Sequence, residues 1–317
     1  MQVSKLSQLK SILNNYEFFI IDEKVSTLYK EFLGPLDQSK CYFVSAPEQS
    51  KNMHEFEKIC IFFLNQKIRR TDSLCIIGGG ATSDLGGFVA SSLLRGINWS
   101  VIPTTLLSMI DASIGGKVGI NTTQGKNLIG SFHLPQKNYF IPEFLNTLEP
   151  DEYTSGLGEL IKYKFIDKNI DISKPIGEVI VDCATFKQEI VHTDLKEKGI
   201  REILNFGHTF GHGIEKLTTL SHGMSVLYGI ELNLFLFSPS LLKEFYRVLG
   251  HFEINLENIK LDINKFLDVV EHDKKNTAKE IGFIILDNNK AYATKKLSRD
   301  ELKTLLESNA TSTNTNF

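Results

Sequence analysis

The sequence lacks long hydrophobic runs and closely paired cysteines. No run reaches the roughly 20 apolar residues that a membrane-spanning helix needs, and residues 1–15 mix polar with apolar groups instead of forming a signal core. The cysteines Cys41, Cys60, Cys75 and Cys183 are scattered without CxxC spacing, and two of them lie in apolar runs that are typical of buried free thiols. We therefore expect neither secretion nor a membrane partner, and a reducing, cytoplasmic location.

The sequence also has little excess of charge of either sign. Its 35 Lys and Arg residues against 38 Asp and Glu residues give a formal net charge of −3. A chain of this charge has no global positive field to attract nucleic acid, so an anionic ligand would need locally clustered Lys and Arg. We expect no nucleic-acid partner and a small-molecule ligand in a basic pocket.

The length of 317 residues favours two domains, because a single hydrophobic core stops growing below this size. Short apolar runs at 18–21, 42–44, 74–77 and 99–102 alternate with amphipathic stretches such as 53–64, which predicts strands joined by crossover helices. After the proline-bearing segment 135–150 the pattern becomes helical, as at 226–237 and 240–249. We predict an α/β fold with a Rossmann-like parallel-sheet domain at 1–146, a mainly α-helical metal- and substrate-binding domain at 147–306, and a disordered tail at 307–317.

A glycine-rich turn follows the predicted strand at 74–77. Gly78, Gly79 and Gly80 precede residues that can start a helix, and glycine there lets backbone amides approach a pyrophosphate at a helix N-terminus. The pattern is not a regular GxGxxG, because Ser83 occupies the last glycine position. Two interpretations stay open: a nucleotide site, or a tight strand-to-helix turn without a ligand.

Basic residues embedded among glycines follow. Asp111 and Lys117 lie in the segment DASIGGK, and Lys126 and Asn127 lie in GKNLIG, after Arg95 in RGINW. Such residues could bind a phosphate or carboxylate together, since buried lysines require partners. Solvated surface lysines on glycine-rich loops are the alternative interpretation.

Candidate metal ligands are concentrated in the second half. Glu159 and Lys162 are three residues apart on one helix face, while His208 and His212 are four apart and His222 follows shortly afterwards. Two imidazoles and a carboxylate are usual ligands of a catalytic zinc ion. The alternative is a helix with buried structural histidines, and spacing alone leaves open whether His212 or His222 would be the third ligand.

Taken together, these motifs resemble the 3-dehydroquinate synthase family from about Ile20 to about Leu286. The matching phrases occur in the family's order: GGGATSDLGGFVAS, RGINWSVIPTTLL, DASIGGK, GKNLIGSF, GLGELIKY, KGIREILNFGHTFGHGIE, SHGMSVLYGIE and HDKKN.

The resemblance implies an NAD+-dependent and divalent-metal-dependent lyase of the shikimate pathway, which serves aromatic amino acid biosynthesis. Its reaction converts 3-deoxy-arabino-heptulosonate 7-phosphate to 3-dehydroquinate and phosphate by transient oxidation with NAD+, phosphate elimination, re-reduction and intramolecular aldol closure. Zinc is the expected metal, with cobalt as an alternative. The family is homodimeric, and the arginine matching Arg95 reaches the neighbouring subunit's site.

The resemblance also implies roles for individual residues. The metal ligands correspond to Glu159, His208 and His222, and His212 contacts the substrate and can transfer protons. The family's NAD site corresponds to Asp22, Glu48, Lys51, Gly79, Gly80, Asp84, Thr104 and Thr105. The family's substrate-binding positions correspond to Asp111, Lys117, Lys126, Asn127, Lys162, Lys187, Glu197, Arg201, Asn205 and Lys274. Of these, Asp111, Lys117 and Lys126 also lie beside the cofactor in the family.

Some features depart from the family pattern. The stretch between Lys162 and Lys187 is short, Ala81 to Ser83 replace two aliphatic residues and a glycine, Met224 stands where an acid is common, and the segment beyond Leu286 matches poorly. None of these changes removes a proposed ligand, so we expect activity.

Three other functions compete with this interpretation. Sugar phosphate cyclases that form deoxy-scyllo-inosose or valiolone skeletons share the cofactors, polyol dehydrogenases share the architecture, and a catalytically inactive binding protein could share both. The anion-binding and proton-transfer residues Lys187, Arg201, His212 and Lys274 are retained, which favours the carboxylated heptulosonate over the other substrates.

Overall fold

A computed structural model describes residues 2–45, 47–197, 199–271, 280–308 and 314–316 of the chain. The chain forms two compact units: a sheet unit, Met1–Glu149 with Ile176–Gln188, and a helical unit, Pro150–Pro175 with Glu189–Phe317. The return of Ile176–Gln188 to the sheet unit is not indicated by the sequence pattern, and the boundary of independently folding domains at 146/147 stays a prediction. In the described part of the chain, no helix is both long and apolar enough to cross a membrane.

The sheet unit contains eight strands and six α-helices among its described residues before residue 149. The strands are β1 (Gln2–Val3), β2 (Phe18–Asp22), β3 (Cys41–Val44), β4 (Ser73–Gly78), β5 (Asn98–Pro103), β6 (Lys117–Thr122), β7 (Gly125–Phe132) and β8 (Tyr139–Phe140). The helices are α1 (Leu9–Leu13), α2 (Glu23–Leu28), α3 (Lys30–Leu33), α4 (Pro47–Ser50), α5 (Met53–Asn65) and α6 (Gly80–Ser92).

A four-stranded parallel sheet in the order β3-β2-β4-β5 forms the centre of this unit. The apolar side chains of the central strand β4 are fully buried, as expected where helices cover both faces of a parallel sheet. Helix α5 begins after the cap Asn52 and buries Ile59 and Phe63, which are four residues apart on one face. The four strands predicted from the apolar runs are confirmed, each extended by one or two residues.

Strands β6 and β7 form an antiparallel hairpin that packs against α6. A Cβ on Gly87 of α6 would lie 2.4 Å from Cγ1 of Val118, so glycine permits this close packing. The apolar side chains of Leu128, Ile129 and Phe132 on β7 remain exposed.

The helical unit is built around one buried helix. Its helices are α7 (Pro150–Ile166), α8 (Ile176–Thr193, shared with the sheet unit), α9 (His208–Leu217), α10 (His222–Phe237), α11 (Leu242–His251), α12 (Ile263–Glu271) and α13 (Arg299–Glu307). Its strands are β9 (Ile259–Lys260), β10 (Ile281–Leu286), β11 (Tyr292–Leu297) and β12 (Thr315–Asn316). Helix α10 is buried on all sides from Ser225 to Leu234, and α7 and α9 both pack against it. The predicted α/β class, with a parallel sheet followed by a helical part, is confirmed.

Two side-chain turns close the short connection between α7 and α8. Asp167 accepts a hydrogen bond from the backbone N–H of Asn169 at 2.9 Å, and Asp171 accepts one from that of Ser173 at 3.0 Å. The effect of this shortening on stability stays a prediction.

The sequence analysis predicts a disordered tail at 307–317; of its described residues, 314–316 make defined contacts. Strand β12 pairs in parallel with β9, and Asn314 donates from its backbone N and its Nδ2 to the buried carboxylate of Glu231, at 3.1 and 2.7 Å. A buried carboxylate needs hydrogen-bond donors, and these contacts supply two of them. Residue Glu307 ends α13, while 309–313 and 317 lie outside the described residues.

Candidate active site

Helices α7 and α10 contact each other through glycine beside Glu159 and His222. A Cβ on Gly158 would lie 2.2 Å from the carbonyl oxygen of Gly223, and a Cβ on Gly223 would lie 1.8 Å from the carbonyl oxygen of Ser155. Side chains do not pack at such distances, so both positions require glycine for the two backbones to meet. The contact places the carboxylate of one helix beside the imidazole of the other.

Helix α9 approaches α10 through a second set of glycines. A Cβ on Gly229 would lie 2.2 Å from the carbonyl oxygen of Gly207 and 2.6 Å from the backbone N of Gly211. Gly207 also has a φ of +76°, a left-handed conformation that glycine adopts without strain, and it caps α9. His208 is therefore the first residue of α9 and faces the start of α10.

Glu159, His208 and His222 converge on one point. The Nε2 atoms of His208 and His222 each lie 3.2 Å from Oε1 of Glu159, and one ligand atom from each residue lies within 4.8 Å of the others. In a tetrahedral zinc site with metal–ligand distances of about 2.0–2.1 Å, neighbouring ligand atoms are about 3.3 Å apart. The separations from Glu159 to each histidine therefore match those of a divalent-metal site, and three protein ligands leave a fourth position for another ligand.

The other ring nitrogens of both histidines are hydrogen-bonded. Nδ1 of His208 lies 3.2 Å from the carbonyl oxygen of Phe206, and Nδ1 of His222 lies 2.9 Å from Oε2 of Glu215. A carbonyl and a carboxylate can only accept, so each Nδ1 carries the proton and donates. In its neutral form each ring then directs the lone pair of Nε2 towards Glu159, which is the arrangement of a metal ligand.

The charges of this cluster are strongly perturbed. Burial by itself would raise the pKa of Glu159, but Lys162, whose ammonium contacts Oε2, and His208 hold it well below its ordinary range. Burial lowers the pKa of His208 to about 4, with Glu159 acting in the opposite direction. Burial would also lower the pKa of His222, but Glu159 and Glu215 outweigh it and raise the value to about 10. At neutral pH, and before any metal binds, the cluster thus holds an ionised carboxylate, a neutral His208 and a protonated His222.

His212 lies one turn beyond His208 on α9. Its ring centre is 5.3 Å from that of His208 and 6.2 Å from that of His222. The convergent group contains His222 and not His212, a distinction that sequence spacing left open. His212 therefore borders the cluster as a neighbouring imidazole.

The loop before α9 carries three further predicted site residues. Oδ2 of Asp194 accepts from the backbone N–H groups of Gly199 and Arg201 at 2.8 and 3.2 Å, and Asn205 donates to Glu197 at 2.9 Å. Glu197 has a φ of +55°, a strained value for a residue with a side chain. Arg201 is buried and donates to the carbonyl oxygen of Leu195 at 2.7 Å. The loop is therefore fixed by its own hydrogen bonds.

In the sheet unit, the glycine-rich turn forms the start of α6. Gly79 is the N-cap of this helix and has no side chain to occupy the first backbone N–H groups. The backbone N–H of Thr104 donates to the carbonyl oxygen of Gly78 at 3.0 Å, and the Thr105 methyl lies 3.0 Å from where a Cβ of Gly79 would be. A helix N-terminus without a side-chain cap, at the carboxyl end of a parallel strand, suits a pyrophosphate. Ser83 donates to the carbonyl oxygen of Gly79 at 2.7 Å, so its hydroxyl is used within the helix.

A cavity of about 360 Å³ lies at the carboxyl ends of β2 and β3. Asp22, Ser45 and Pro47 are among its lining residues. Asp22 caps α2 by accepting from the backbone N–H of Lys24 at 2.9 Å, and burial raises the pKa of Asp22 against these bonds. Such a cavity beside a switch in strand order is a usual nucleotide site in parallel sheets.

Lys51 and Asp84 form a buried ion pair behind the glycine turn. Nζ of Lys51 lies 2.5 Å from Oδ2 of Asp84, and Lys51 is 4% exposed. Burial raises the pKa of Asp84, whereas Lys51 lowers it. Nearby, Asn121 donates to Glu48 at 2.8 Å and from its backbone to the carbonyl oxygen of Lys51 at 2.7 Å. These bonds connect the predicted NAD residues to the turn end of the β6–β7 hairpin.

The predicted anion-binding residues of the sheet unit differ in burial. Nζ of Lys187 is 2.9 Å from Oδ1 of Asp111 and 2.6 Å from its carbonyl oxygen, and Lys187 is buried. Lys117 and Lys126 are exposed on the hairpin, and so is Asn127, whose φ is +56°. This left-handed residue lies in β7, where its backbone N–H donates to Oδ1 of Asn121 at 3.0 Å.

Two predicted site residues remain. Arg95 is exposed in a turn where it and Leu94 both have positive φ, +68° and +51°. Lys274 lies outside the described residues.

The amino-acid sequence matches two family models. Residues 41–155 match the one described as 3-dehydroquinate synthase N-terminal, and residues 156–276 match 3-dehydroquinate synthase C-terminal. The chain is 37% identical over 322 residues to the 3-dehydroquinate synthase of Pelagibacter ubique (strain HTCC1062), covering 90% of this chain and 86% of that protein. It is 40% identical over 272 residues to that of Helicobacter pylori (strain ATCC 700392 / 26695), covering 80% and 79%. The chain belongs to the 3-dehydroquinate synthase family.

Solved structures agree with this family at the level of the fold. A 2-deoxy-scyllo-inosose synthase complexed with carbaglucose-6-phosphate, NAD+ and Co2+ superposes with a TM-score of 0.81 at 20% identity, covering 97% of this chain and 96% of that chain. The 2-epi-5-epi-valiolone synthase ValA from Streptomyces hygroscopicus subsp. jinggangensis, with NAD+ and Zn2+ bound, gives 0.79 at 22% identity and covers 96% and 95%. The predicted membership of the 3-dehydroquinate synthase family is confirmed, and these cyclases share its architecture.

The sequence analysis overlooked two residues of the site. Glu215 binds His222, and Asp194 fixes the loop of Glu197 and Arg201. Glu215 carries a periodic signal, because it lies seven residues after His208 and so on the same face of α9. The bonding of Asp194 to two backbone N–H groups has no comparable signal in the sequence.

Proposed function

We propose that this protein is a 3-dehydroquinate synthase, a carbon–oxygen lyase that converts 3-deoxy-arabino-heptulosonate 7-phosphate to 3-dehydroquinate and phosphate. The observation that carries the proposal is the convergence of Nε2 of His208, Nε2 of His222 and Oε1 of Glu159 in a member of that family. A reaction that oxidises, eliminates and reduces again needs a Lewis acid and a hydride acceptor, and the chain has candidate sites for both.

The donor set fits a divalent metal, with zinc as the first choice and cobalt as the second. Two imidazoles and one carboxylate are borderline ligands that suit zinc, and Nδ1 of each histidine already holds its proton. When bound, the ion would polarise substrate hydroxyls, and NAD+ would accept and return a hydride at one substrate carbon. Lys162 keeps Glu159 ionised for its role as a ligand.

His212 is our candidate for proton transfer. Its imidazole borders the ligand cluster, with its ring centre 5.3 Å from that of His208, and it is not one of the three convergent ligands. An imidazole can take and return protons near neutral pH, as elimination and ring closure require. Glu197 and Asn205, joined by a 2.9 Å hydrogen bond, would orient a substrate hydroxyl.

Cationic side chains would bind the phosphate and carboxylate of the substrate. Arg201 and Lys162 are buried in the helical unit and Lys187 in the sheet unit, so each is held in place before a ligand arrives. Lys117, Lys126, Asn127 and Lys274 complete the proposed set, with Asp111 orienting Lys187 at 2.9 Å.

NAD+ would occupy the carboxyl end of the parallel sheet. The backbone amides at Gly79 and Gly80 would bind the pyrophosphate, since the N-cap of α6 has no side chain that competes for them. We assign the rest of this site to Asp22, Glu48, Lys51, Asp84, Thr104 and Thr105, whose contacts are described above. The cavity beside Asp22 would take the adenosine end.

We also propose a homodimer. The apolar side chains of Leu128, Ile129 and Phe132 are 40–47% exposed on β7, and a second copy of the chain would cover them. Arg95 is exposed in its strained turn, as a residue that serves a neighbouring subunit must be. Sedimentation of Phe132→Glu, compared with the unaltered protein, tests this: a monomeric variant supports the surface, and an unchanged dimer places the interface elsewhere.

The decisive experiment supplies heptulosonate phosphate, NAD+ and zinc to the purified protein and follows phosphate release together with absorbance of reduced cofactor. Phosphate release without accumulating reduced cofactor is expected for the proposed lyase. Accumulating reduced cofactor without phosphate would indicate a polyol dehydrogenase. Turnover of hexose or heptulose phosphates that lack the carboxylate, but not of the heptulosonate, would indicate another sugar phosphate cyclase. Glu159→Gln should be inactive and the exposed Glu257→Gln fully active.

A further inference from the structure

Helix α9 carries Glu215 as well as the proposed ligand His208 on the face that borders the metal cluster. His208, His212 and Glu215 follow at intervals of four and three residues, so they share one face of the helix. Oε2 of Glu215 lies 2.9 Å from Nδ1 of His222, the ring nitrogen opposite the one that lies beside Glu159. It touches the ring of the third ligand from behind.

His222 is the least enclosed of the three ligands. Its side chain is 32% exposed, compared with 13% for His208 and 1% for Glu159. Packing therefore restricts the rotation of this ring less than that of the other ligands.

The two histidines also differ in what holds Nδ1. His208 donates to the backbone carbonyl of Phe206, only two residues away and fixed by the turn before α9. His222 depends on a side chain, because its Nδ1 partner is the carboxylate of Glu215 on another helix. A charged acceptor fixes the ring, selects the tautomer with a bare Nε2 and increases the basicity of that nitrogen.

We propose that Glu215 is a positioning residue for the metal site: it holds His222 as the Nδ1–H tautomer with Nε2 directed at Glu159, and the affinity for zinc depends on it. This inference rests on the proposed function, since it assigns His222 to a metal. It adds a fourth side chain to the machinery that the chain needs to retain its metal. Removal of such outer partners typically weakens metal binding about 10- to 100-fold.

Two substitutions separate the charge of Glu215 from its volume. Glu215→Gln keeps the volume and an oxygen that can accept from Nδ1 but removes the charge, so we expect zinc affinity to fall about tenfold. Glu215→Ala removes the acceptor as well, so we expect a fall of about 100-fold. Glu257→Gln, an exposed carboxylate outside α7, α9 and α10, is the matched control and should bind zinc like the unaltered protein.

The measurement is the dissociation constant for zinc alone, obtained with the full chain by competition with a chromophoric chelator at one fixed pH. Thermal unfolding of the metal-free proteins is recorded in parallel, because a purely structural role would lower the unfolding temperature without a selective loss of zinc. Activity with heptulosonate phosphate should return at saturating zinc, since a positioning residue does not touch the substrate. The variants should therefore need a higher zinc concentration than the unaltered protein for half-maximal activity, and should reach a similar kcat.

The outcomes separate this inference from the proposed function. Weakened zinc binding in both variants with near-unchanged metal-free stability supports it. Zinc affinity of Glu215→Ala within about twofold of the unaltered protein overturns it and leaves the lyase proposal intact. Failure of the unaltered protein itself to bind zinc overturns both. If the alanine variant does not fold, the glutamine variant decides, and an unchanged affinity there overturns the inference.

Discussion

The sheet unit and the helical unit prepare their candidate sites by different means. At the sheet, the features that suit NAD+ are backbone groups, with Gly79 capping α6 and leaving its first amides without a side-chain partner. In the helical unit, the features that suit a metal are side chains. Glu159 and two histidines converge, and Nδ1 of each imidazole is hydrogen-bonded.

Both units have glycine at the candidate site, but an added Cβ would meet a different kind of atom in each. A Cβ on Gly79 would meet the methyl of Thr105 at 3.0 Å, a side-chain atom that can move. A Cβ on Gly223 would meet the carbonyl oxygen of Ser155 at 1.8 Å, and two packed helices cannot yield without separating. The cofactor end should therefore tolerate small changes that the metal end does not.

The largest expected effect is on activity, from His208→Ala. We expect turnover to fall about a thousandfold or more, because the variant removes a ligand of the proposed Lewis acid. Zinc content should be lost while NAD+ binding by the sheet unit is retained, as measured by elemental analysis and cofactor titration. Exposed His251→Ala should change neither quantity, and a His208→Ala protein with full zinc content would contradict the assigned ligand.

The largest expected effect on stability comes from Gly223→Ala. The added methyl group must separate α7 from α10, so we expect the free energy of unfolding to fall by about 3–5 kcal/mol. Denaturant unfolding of the metal-free protein measures this loss. The control is Gly250→Ala in α11, where a Cβ would meet no atom within 4 Å and stability should stay equal or rise by up to about 1 kcal/mol. Equal stability of the two variants would refute the proposed backbone contact.

A smaller effect is expected from Gly79→Ala at the sheet. Its φ of −76° suits alanine, so the fold should persist, while the methyl group hinders the approach of a pyrophosphate. We expect the dissociation constant for NAD+ to rise about tenfold, equivalent to about 1.4 kcal/mol, with unchanged zinc affinity. Adding Thr105→Ser removes the contacting methyl and should restore part of the helix geometry. Unchanged NAD+ binding in Gly79→Ala would place the cofactor elsewhere.

The smallest expected effect concerns Glu231, which receives hydrogen bonds from Tyr246 and from the tail residue Asn314. Burial raises the pKa of Glu231 above its ordinary value of 4.5, against those bonds. The folded state therefore binds this proton more tightly than the unfolded state. The corresponding stability is fully present below pH 4.5 and is lost as pH rises through the raised folded pKa.

Glu231→Gln removes that titration. We expect the stability difference between the unaltered protein and the variant to shrink by about 1 kcal/mol or less as the pH rises from 5 to 8. Denaturant unfolding over this pH range measures the difference, and Glu257→Gln should leave it constant. A difference that grows with pH would mean that the carboxylate is stabilised in its charged form by its donors.

Much of the fold follows from local patterns in the sequence. The apolar runs at 18–21 and 74–77 favour buried strands, because they are short for helices. The glycines after 77 predicted a strand-to-helix turn, and α6 begins at Gly80. The order of the motifs along the chain identified the family, because each motif is short but their succession is specific.

Other features depend on contacts between distant residues. The tail residue Asn314 donates to Glu231, which is 83 residues away in the sequence. The composition of that tail indicates disorder. No local sequence pattern predicts that the N–H groups of Asn314 bind a buried carboxylate elsewhere in the chain. Likewise, the interval between His208 and His212 favours that pair on helical spacing, whereas the group that converges with Glu159 contains His222 from the next helix.

The sequence by itself determined the strands and helices, the glycine turn and the supply of imidazole and carboxylate groups, because these depend on periodicity and on the chemistry of single residues. Only the tertiary structure decided which of these groups meet. Glycine contacts between α7, α9 and α10 set the helix separations, and those separations bring Glu159, His208 and His222 together and place Glu215 behind one of them. A distance between two helices is a property of both surfaces, and neither segment of sequence contains it alone.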